Sequence, residues 1–173
     1  GGCNPDLPSG TVVLATGIRD LSADGTGDIL YTNRGWQRRL KSMLLGNVLL
    51  EEGTIASVAE PATGTDAKRR LFEDGRAAAV DMESAAAARV AMEAGIPFMA
   101  LRVIVDAADT SLPTAAMAGM TNDGATQIGP VLQALLCRPQ DIPGLVGIGF
   151  SDAKARKSLK RAATVAAPLF GGV

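Results

Sequence analysis

The stretch that decides the fold runs Ala77-Ala78-Ala79-Val80, Asp81-Met82-Glu83-Ser84, an alanine-dense run to Ala94-Gly95-Ile96-Pro97, then Phe98-Met99-Ala100-Leu101-Arg102-Val103-Ile104-Val105-Asp106. Its first four residues predict a short apolar strand. Met82 to Ala94 predicts a helix, closed by Gly95 where helices favour a left-handed glycine. Pro97 forbids continuation. Phe98 to Val105 is a near-continuous apolar run, the pattern of a strand covered on both faces. Strand, helix and strand together predict a βαβ unit in a parallel sheet. Ligand crevices of such sheets lie at the carboxyl ends of strands. Glu83 follows one strand and Asp106 the next, so both acids are expected at one sheet edge.

Working outward, Thr11-Val12-Val13-Leu14-Ala15 predicts a strand entered from Pro8-Ser9-Gly10. Residues 20–35 are polar and glycine-rich and read as a loop. Trp36, Leu40, Met43 and Leu44 recur at helical spacing, with Arg38, Arg39 and Lys41 on the outer face. Gly53 to Val58 reads as a buried strand. Pro61 and Gly64 break the pattern, and Thr65-Asp66 caps a short helix through Leu71. Beyond Pro113 a helical stretch is interrupted at Asn122-Asp123-Gly124. A further helix carries Ile128, Val131, Leu132, Leu135 and Leu136 and stops at Arg138-Pro139. Ser151-Asp152 caps a last helix to about Ala167.

Composition narrows the chemistry. The chain of 173 residues has 47% hydrophobic residues and 20 Gly, with one Trp, one Tyr and four Phe. It fits a single domain over 1–173, with a core built from Ala, Val, Leu and Ile. Net charge is −1, which argues against disorder and against a dedicated nucleic-acid binder. There is no His, so Ser–His and Cys–His catalysis and His-ligated metals are excluded. Cys3 and Cys137 read as two reduced thiols, and no metal site is expected. No apolar run reaches the roughly 18 residues of a membrane span, and no signal segment opens the chain. A cytoplasmic location is expected. Gly1-Gly2-Cys3-Asn4-Pro5 reads like a turn from the middle of something longer.

Asp81 and Glu83 have an ordinary explanation as acids that complement a helix dipole, and Asp106 and Asp109 as loop or cap residues. The functional alternative is that two strand ends deliver acids to one cleft, where a carboxyl can serve as a general acid.

Val80-Asp81-Met82-Glu83-Ser84-Ala85-Ala86, Ala94-Gly95-Ile96-Pro97-Phe98 and Arg102-Val103-Ile104-Val105-Asp106-Ala107-Ala108-Asp109 resemble the nucleoside phosphorylase/nucleosidase superfamily in order and spacing. Gly1-Gly2 through Val13 looks like that family's glycine turn and following strand. Gly53-Thr54-Ile55-Ala56-Ser57 looks like the strand before its substrate loop. Leu112-Pro113-Thr114-Ala115-Ala116, Asp123-Gly124, Arg138-Pro139 and the basic last helix are most similar to the hopanoid-associated phosphorylase branch, whose members are thought to release adenine from adenosylhopane.

The resemblance implies a three-layer α/β/α fold with a central mixed, mostly parallel sheet. It also implies that the family's opening strands are missing, so that the chain is about the carboxyl-terminal two-thirds of the family fold. Asp106 then matches the acid that protonates, or hydrogen-bonds, the purine N7. Glu83 matches the carboxylate that accepts hydrogen bonds from the ribose hydroxyls. Met82 packs against the sugar, and Pro61 and Ala62 fall where backbone lies along the base. No cofactor is implied; inorganic phosphate is a possible co-substrate. The partner implied is a small nucleoside, with or without a lipid tail, and the assembly a homo-oligomer such as a dimer.

One departure concerns geometry. Val105 stands where the family carries Ser or Ala, so a hydroxyl orienting Asp106 is gone and a looser carboxyl is expected. A methylthioadenosine or adenosylhomocysteine nucleosidase and a catalytically silent nucleoside-binding module are the alternatives. A Rossmann-type dinucleotide binder fits poorly, because no G-x-G-x-x-G follows a strand.

The last helix carries Lys154, Arg156, Lys157, Lys160 and Arg161 against the single Asp152. Ala155, Leu159, Ala162, Ala163 and Ala166 share one face at helical spacing. The ordinary reading is a packed helix with a solvated basic side. The functional one is electrostatic contact with an anionic membrane surface, the inner membrane face, without deep insertion.

Overall fold

The computed structural model describes residues 1–112 and 142–170. The helices expected after Pro113 and around Ile128–Leu136, the Asp123-Gly124 and Arg138-Pro139 breaks, and Cys137 lie outside the described residues. The elements are β1 (Val12–Leu21), β2 (Ile29–Tyr31), α1 (Arg34–Leu44), β3 (Leu50–Val58), α2 (Thr65–Gly75), β4 (Ala77–Asp81), α3 (Ser84–Glu93), β5 (Leu101–Val103) and α4 (Ile142–Ala166), followed by a 3₁₀ turn over Ala167–Phe170.

β1 is the axis of the sheet. It runs parallel to β3, which runs parallel to β4. Its other edge is shared, with β5 antiparallel along Val12–Leu14 and β2 antiparallel along Gly17–Arg19. Alternate residues of β1 face opposite layers, as a pleated strand requires. Val13 and Ala15 pack with Ala85 and Ala88 of α3, while Val12 and Leu14 pack with Leu40 and Leu44 of α1 and Ala162 and Ala166 of α4. Thr16 is an extra residue between Ala15 and Gly17 in the pairing with β3. The bulge reverses the alternation, so Ile18 joins Val13 and Ala15. The core thus fills both faces of the sheet with aliphatic side chains. Contact is close where it matters: a Cβ at Gly53 would meet the Ala78 Cβ at 2.7 Å.

Several expectations need correction. The βαβ reading of 77–105 fails at its second strand, because β5 does not pair with β4. The place beside β4 is taken by the Gly1–Cys3 segment, with Gly2 bridging Ala79 in antiparallel fashion and Gly2 N–H donating to the Asp106 carbonyl at 2.8 Å. The expected strand over Phe98–Val105 is regular only at Leu101–Val103. Its flanks are still paired: the Phe98 carbonyl accepts from Asn33, the Ala100 carbonyl from Ala15, and Ile104 bonds Thr11 and Gly10. Residues 20–35, read as a loop, contain β2. α4 starts well before Ser151, which lies inside it.

Other elements agree. Asn33 caps α1 by accepting from Trp36 N–H at 3.0 Å, and Leu40 and Leu44 are buried. Gly95 has φ +66°, the left-handed ending expected of it.

Candidate functional site

The carboxyl end of β4 divides the two adjacent acids between two jobs. Asp81 Oδ1 accepts from Ser84 N–H at 3.1 Å and Glu83 N–H at 3.3 Å, and Ser84 Oγ donates to Asp81 Oδ2. Asp81 therefore satisfies the free N–H groups at the start of α3. Burial would raise its carboxyl, but the hydrogen bonds from Ser84 and the Arg102 guanidinium outweigh that and hold it below the ordinary carboxylate value. Glu83 makes no side-chain cap bond. Its carboxylate is largely exposed and, among the described residues, accepts only from Arg102 Nη2, at 3.2 Å. The helix-start explanation thus fits Asp81 and leaves Glu83 free for another partner.

Arg102 reaches this pair from β5. Its Nε lies 2.6 Å from Asp81 Oδ2, and its Nη2 also donates to Ser84 Oγ at 3.2 Å. One guanidinium so bridges a buried acid that caps a helix and an exposed acid that does not.

Asp106 follows β5, and its side chain is 11% exposed. Lys68 Nζ, on α2, lies 2.6 Å from Asp106 Oδ2, and the Lys68 side chain is 0% exposed. The same Nζ donates to the carbonyls of Ala107 at 2.9 Å and Thr110 at 2.7 Å. The looser Asp106 expected from Val105 is therefore not what is found, because an ammonium holds it where no hydroxyl does. Gly1 also approaches it: a Cβ there would meet Asp106 Oδ2 at 2.7 Å, so a side chain at position 1 would have to displace the carboxylate. Asp109, by contrast, accepts from its neighbour Thr110 Oγ1, at 3.2 Å.

The five residues singled out from the sequence meet. Asp106, Glu83, Met82, Pro61 and Ala62 line one cavity of about 250 Å³, floored by Val58 and Val80. Met82 is 43% exposed and lines the cavity with both acids. A larger cavity of about 490 Å³ shares Val58, Pro61 and Ala62 with it and extends along α2 past Arg19, Arg70 and Leu71. Lys68 and Arg102 are the residues sequence reasoning missed. Lys68 had one signal: it lies three and four positions before Leu71 and Phe72, on the face of α2 that packs inward. Among the described residues, no group of cysteines and acids is placed to hold a metal ion.

A mixed sheet sandwiched by helices, with acids at its edge, defines the class; the family follows from comparison. Residues 1–136 match the model of the phosphorylase superfamily, and the chain belongs to that family. No curated protein matches the sequence. Among solved structures the chain is similar to the Helicobacter pylori futalosine hydrolase, with 25% identity over 60% of this chain and 52% of that one and a TM-score of 0.53. It is similar to the Streptococcus pyogenes S-adenosylhomocysteine nucleosidase in complex with 5-methylthiotubericidin, with 25% identity over 63% and 52% and a TM-score of 0.57. The Helicobacter pylori 5′-methylthioadenosine/S-adenosylhomocysteine nucleosidase shares the fold over 95% of this chain and 64% of that one, with 21% identity and a TM-score of 0.59. The chain spans between half and two thirds of the length of these structures.

Proposed function

We propose that the protein cleaves the N-glycosidic bond of an adenosine-type nucleoside in the cavity between Asp106 and Glu83. The observation that carries this reading is the meeting of those acids with Met82, Pro61 and Ala62 around one small cavity. Membership of the phosphorylase superfamily supports it, as do solved neighbours that are named nucleosidases and bind nucleoside analogues.

The chemistry follows from where charge develops. As the C1′–N9 bond breaks, its electron pair leaves with the purine and the sugar becomes oxocarbenium-like. Asp106 protonates, or hydrogen-bonds, N7 and makes adenine a better leaving group, help worth about 10²–10⁴-fold. Glu83 accepts from the ribose hydroxyls, and its charge favours the cationic sugar. Water or inorganic phosphate takes the sugar carbon. Met82 covers the sugar, and Pro61 and Ala62 flank the base.

Within this class the substrate we propose is adenosylhopane. The exposed basic side of α4, Lys154, Arg156, Lys157, Lys160 and Arg161, supports a role at an anionic membrane surface, where such a lipid nucleoside resides. No helix among the described residues is long and apolar enough to cross a membrane, and the contact we propose is peripheral. The nucleosidase neighbours favour methylthioadenosine as the second reading. The protein is proposed to work as a homo-oligomer, as a dimer. The test is incubation with adenosylhopane and with methylthioadenosine, with and without phosphate, while adenine release is followed. Release from neither would overturn the reading; a requirement for phosphate would assign phosphorolysis.

A further inference from the structure

Lys68 is the most fully buried cation in the described structure, and nothing in the reaction so far uses it. Its Nζ has three protons to donate, and three acceptors take them: Asp106 Oδ2, the Ala107 carbonyl and the Thr110 carbonyl. All three belong to the turn that follows β5. The ammonium thus has no capacity left for a ligand. It clamps that turn to α2 and engages one particular oxygen of Asp106, leaving Oδ1 as the oxygen not held by Lys68.

We propose that Lys68 is the positioning residue of Asp106, a reading that rests on the glycosidic activity proposed above. It fixes which carboxylate oxygen is offered to the purine. When a proton passes from Oδ1 to N7, the carboxylate that remains is the charge Lys68 neutralises. Misplacement of a reacting group by about 1 Å can cost 10²-fold, and among the described residues Lys68 is the only side chain that pairs with the Asp106 carboxylate. Burial of a full ammonium with no role beyond packing would be costly, since replacing a buried ion pair by apolar groups is often neutral or stabilising.

The test compares wild type, Lys68→Met, Asp106→Asn and the double variant on two substrates. Methylthioadenosine needs its purine protonated or hydrogen-bonded; p-nitrophenyl riboside has a leaving group that needs no proton. Lys68→Met is expected to lower kcat for adenine release by about 10²-fold, with little change in KM, and to leave p-nitrophenol release near wild type. Adding Lys68→Met to Asp106→Asn is expected to cost no further activity, because residues acting through one another are not additive. Equal losses on both substrates, or losses that multiply in the double variant, would overturn the proposal. Should Lys68→Met fail to fold, the double variant leaves no unpaired buried charge and its comparison with Asp106→Asn decides. A wild type that cleaves neither substrate, nor adenosylhopane, overturns the glycosidic reading itself, whereas an active wild type matched by Lys68→Met overturns only the role of Lys68.

Discussion

Arg102 Nε lies 2.6 Å from Asp81 Oδ2 while its Nη2 reaches Glu83 Oε2 at 3.2 Å. A single side chain from β5 thereby connects the helix cap at the end of β4 to the acid proposed to bind ribose. Asp81 is buried and Arg102 half-buried, so the pair is neither a surface contact nor a sealed one.

Replacing Arg102 by Met should leave Asp81 without its cation. The expected loss is about 1–3 kcal/mol, below that of a fully buried pair because solvent reaches the guanidinium. A chemical-denaturation midpoint would read it. The same variant should raise KM, since Glu83 loses its only hydrogen-bond donor among the described residues. Unchanged stability would show that the cap stands without Arg102.

Acid should weaken the fold through Asp81. Its carboxyl titrates below the ordinary value in the folded protein, so the unfolded chain binds the proton first as pH falls. The stabilisation is fully present above pH about 4 and is lost as pH drops through the folded value. Urea midpoints between pH 7 and pH 3 should fall less steeply for Asp81→Asn than for wild type. Parallel curves would remove Asp81 from the account.

Glu83→Gln separates a ribose ligand from a surface acid. A neutral amide stabilises an oxocarbenium less well, so kcat/KM should fall while the denaturation midpoint stays within about 0.5 kcal/mol of wild type, as for an exposed position. A loss of stability without loss of turnover would return Glu83 to a structural role.

The basic side of α4 predicts salt-sensitive attachment to anionic vesicles, at about 1 kcal/mol for each basic residue near the surface. Ala155, Ala162 and Ala166 of its other side are buried against the sheet layer, and so are not available to insert into lipid. Leu159 and Ala163, expected on that inner face, are exposed instead. Co-sedimentation with anionic and with neutral vesicles, at low and high salt, measures it. Equal, negligible binding to both would leave α4 as plain structure.

Much of this was legible in the residues, and the failures have physical causes. Glu83 and Asp106 were found by their place after apolar runs, and they do meet. The route was partly wrong: β5 lies antiparallel on β1, and Asp106 reaches the cavity because Gly1–Cys3 fills the place beside β4. Such an insertion carries no periodicity of its own. β2 was hidden because three residues, Ile29–Tyr31, sit among glycines and aspartates. Lys68 was hidden for a different reason. A lysine on an amphipathic helix is ordinarily solvated, and it is Asp106 with the carbonyls of Ala107 and Thr110, all distant in sequence, that makes its burial tolerable. Cys3, read as a reduced thiol, is free and buried; burial pushes its thiol up to about 11, and an undissociated thiol is a poor nucleophile.

Asp106 is proposed to act on the leaving purine. Adenine release by Asp106→Asn, beside wild type and at a temperature where both are folded, tests it most directly, because the amide keeps the shape and cannot give up a carboxyl proton. The variant also leaves Lys68 buried without its anion, so the fold of each sample is checked by circular dichroism. A fall of about 10²–10⁴-fold in kcat is expected. Undiminished adenine release from a folded Asp106→Asn protein would contradict it.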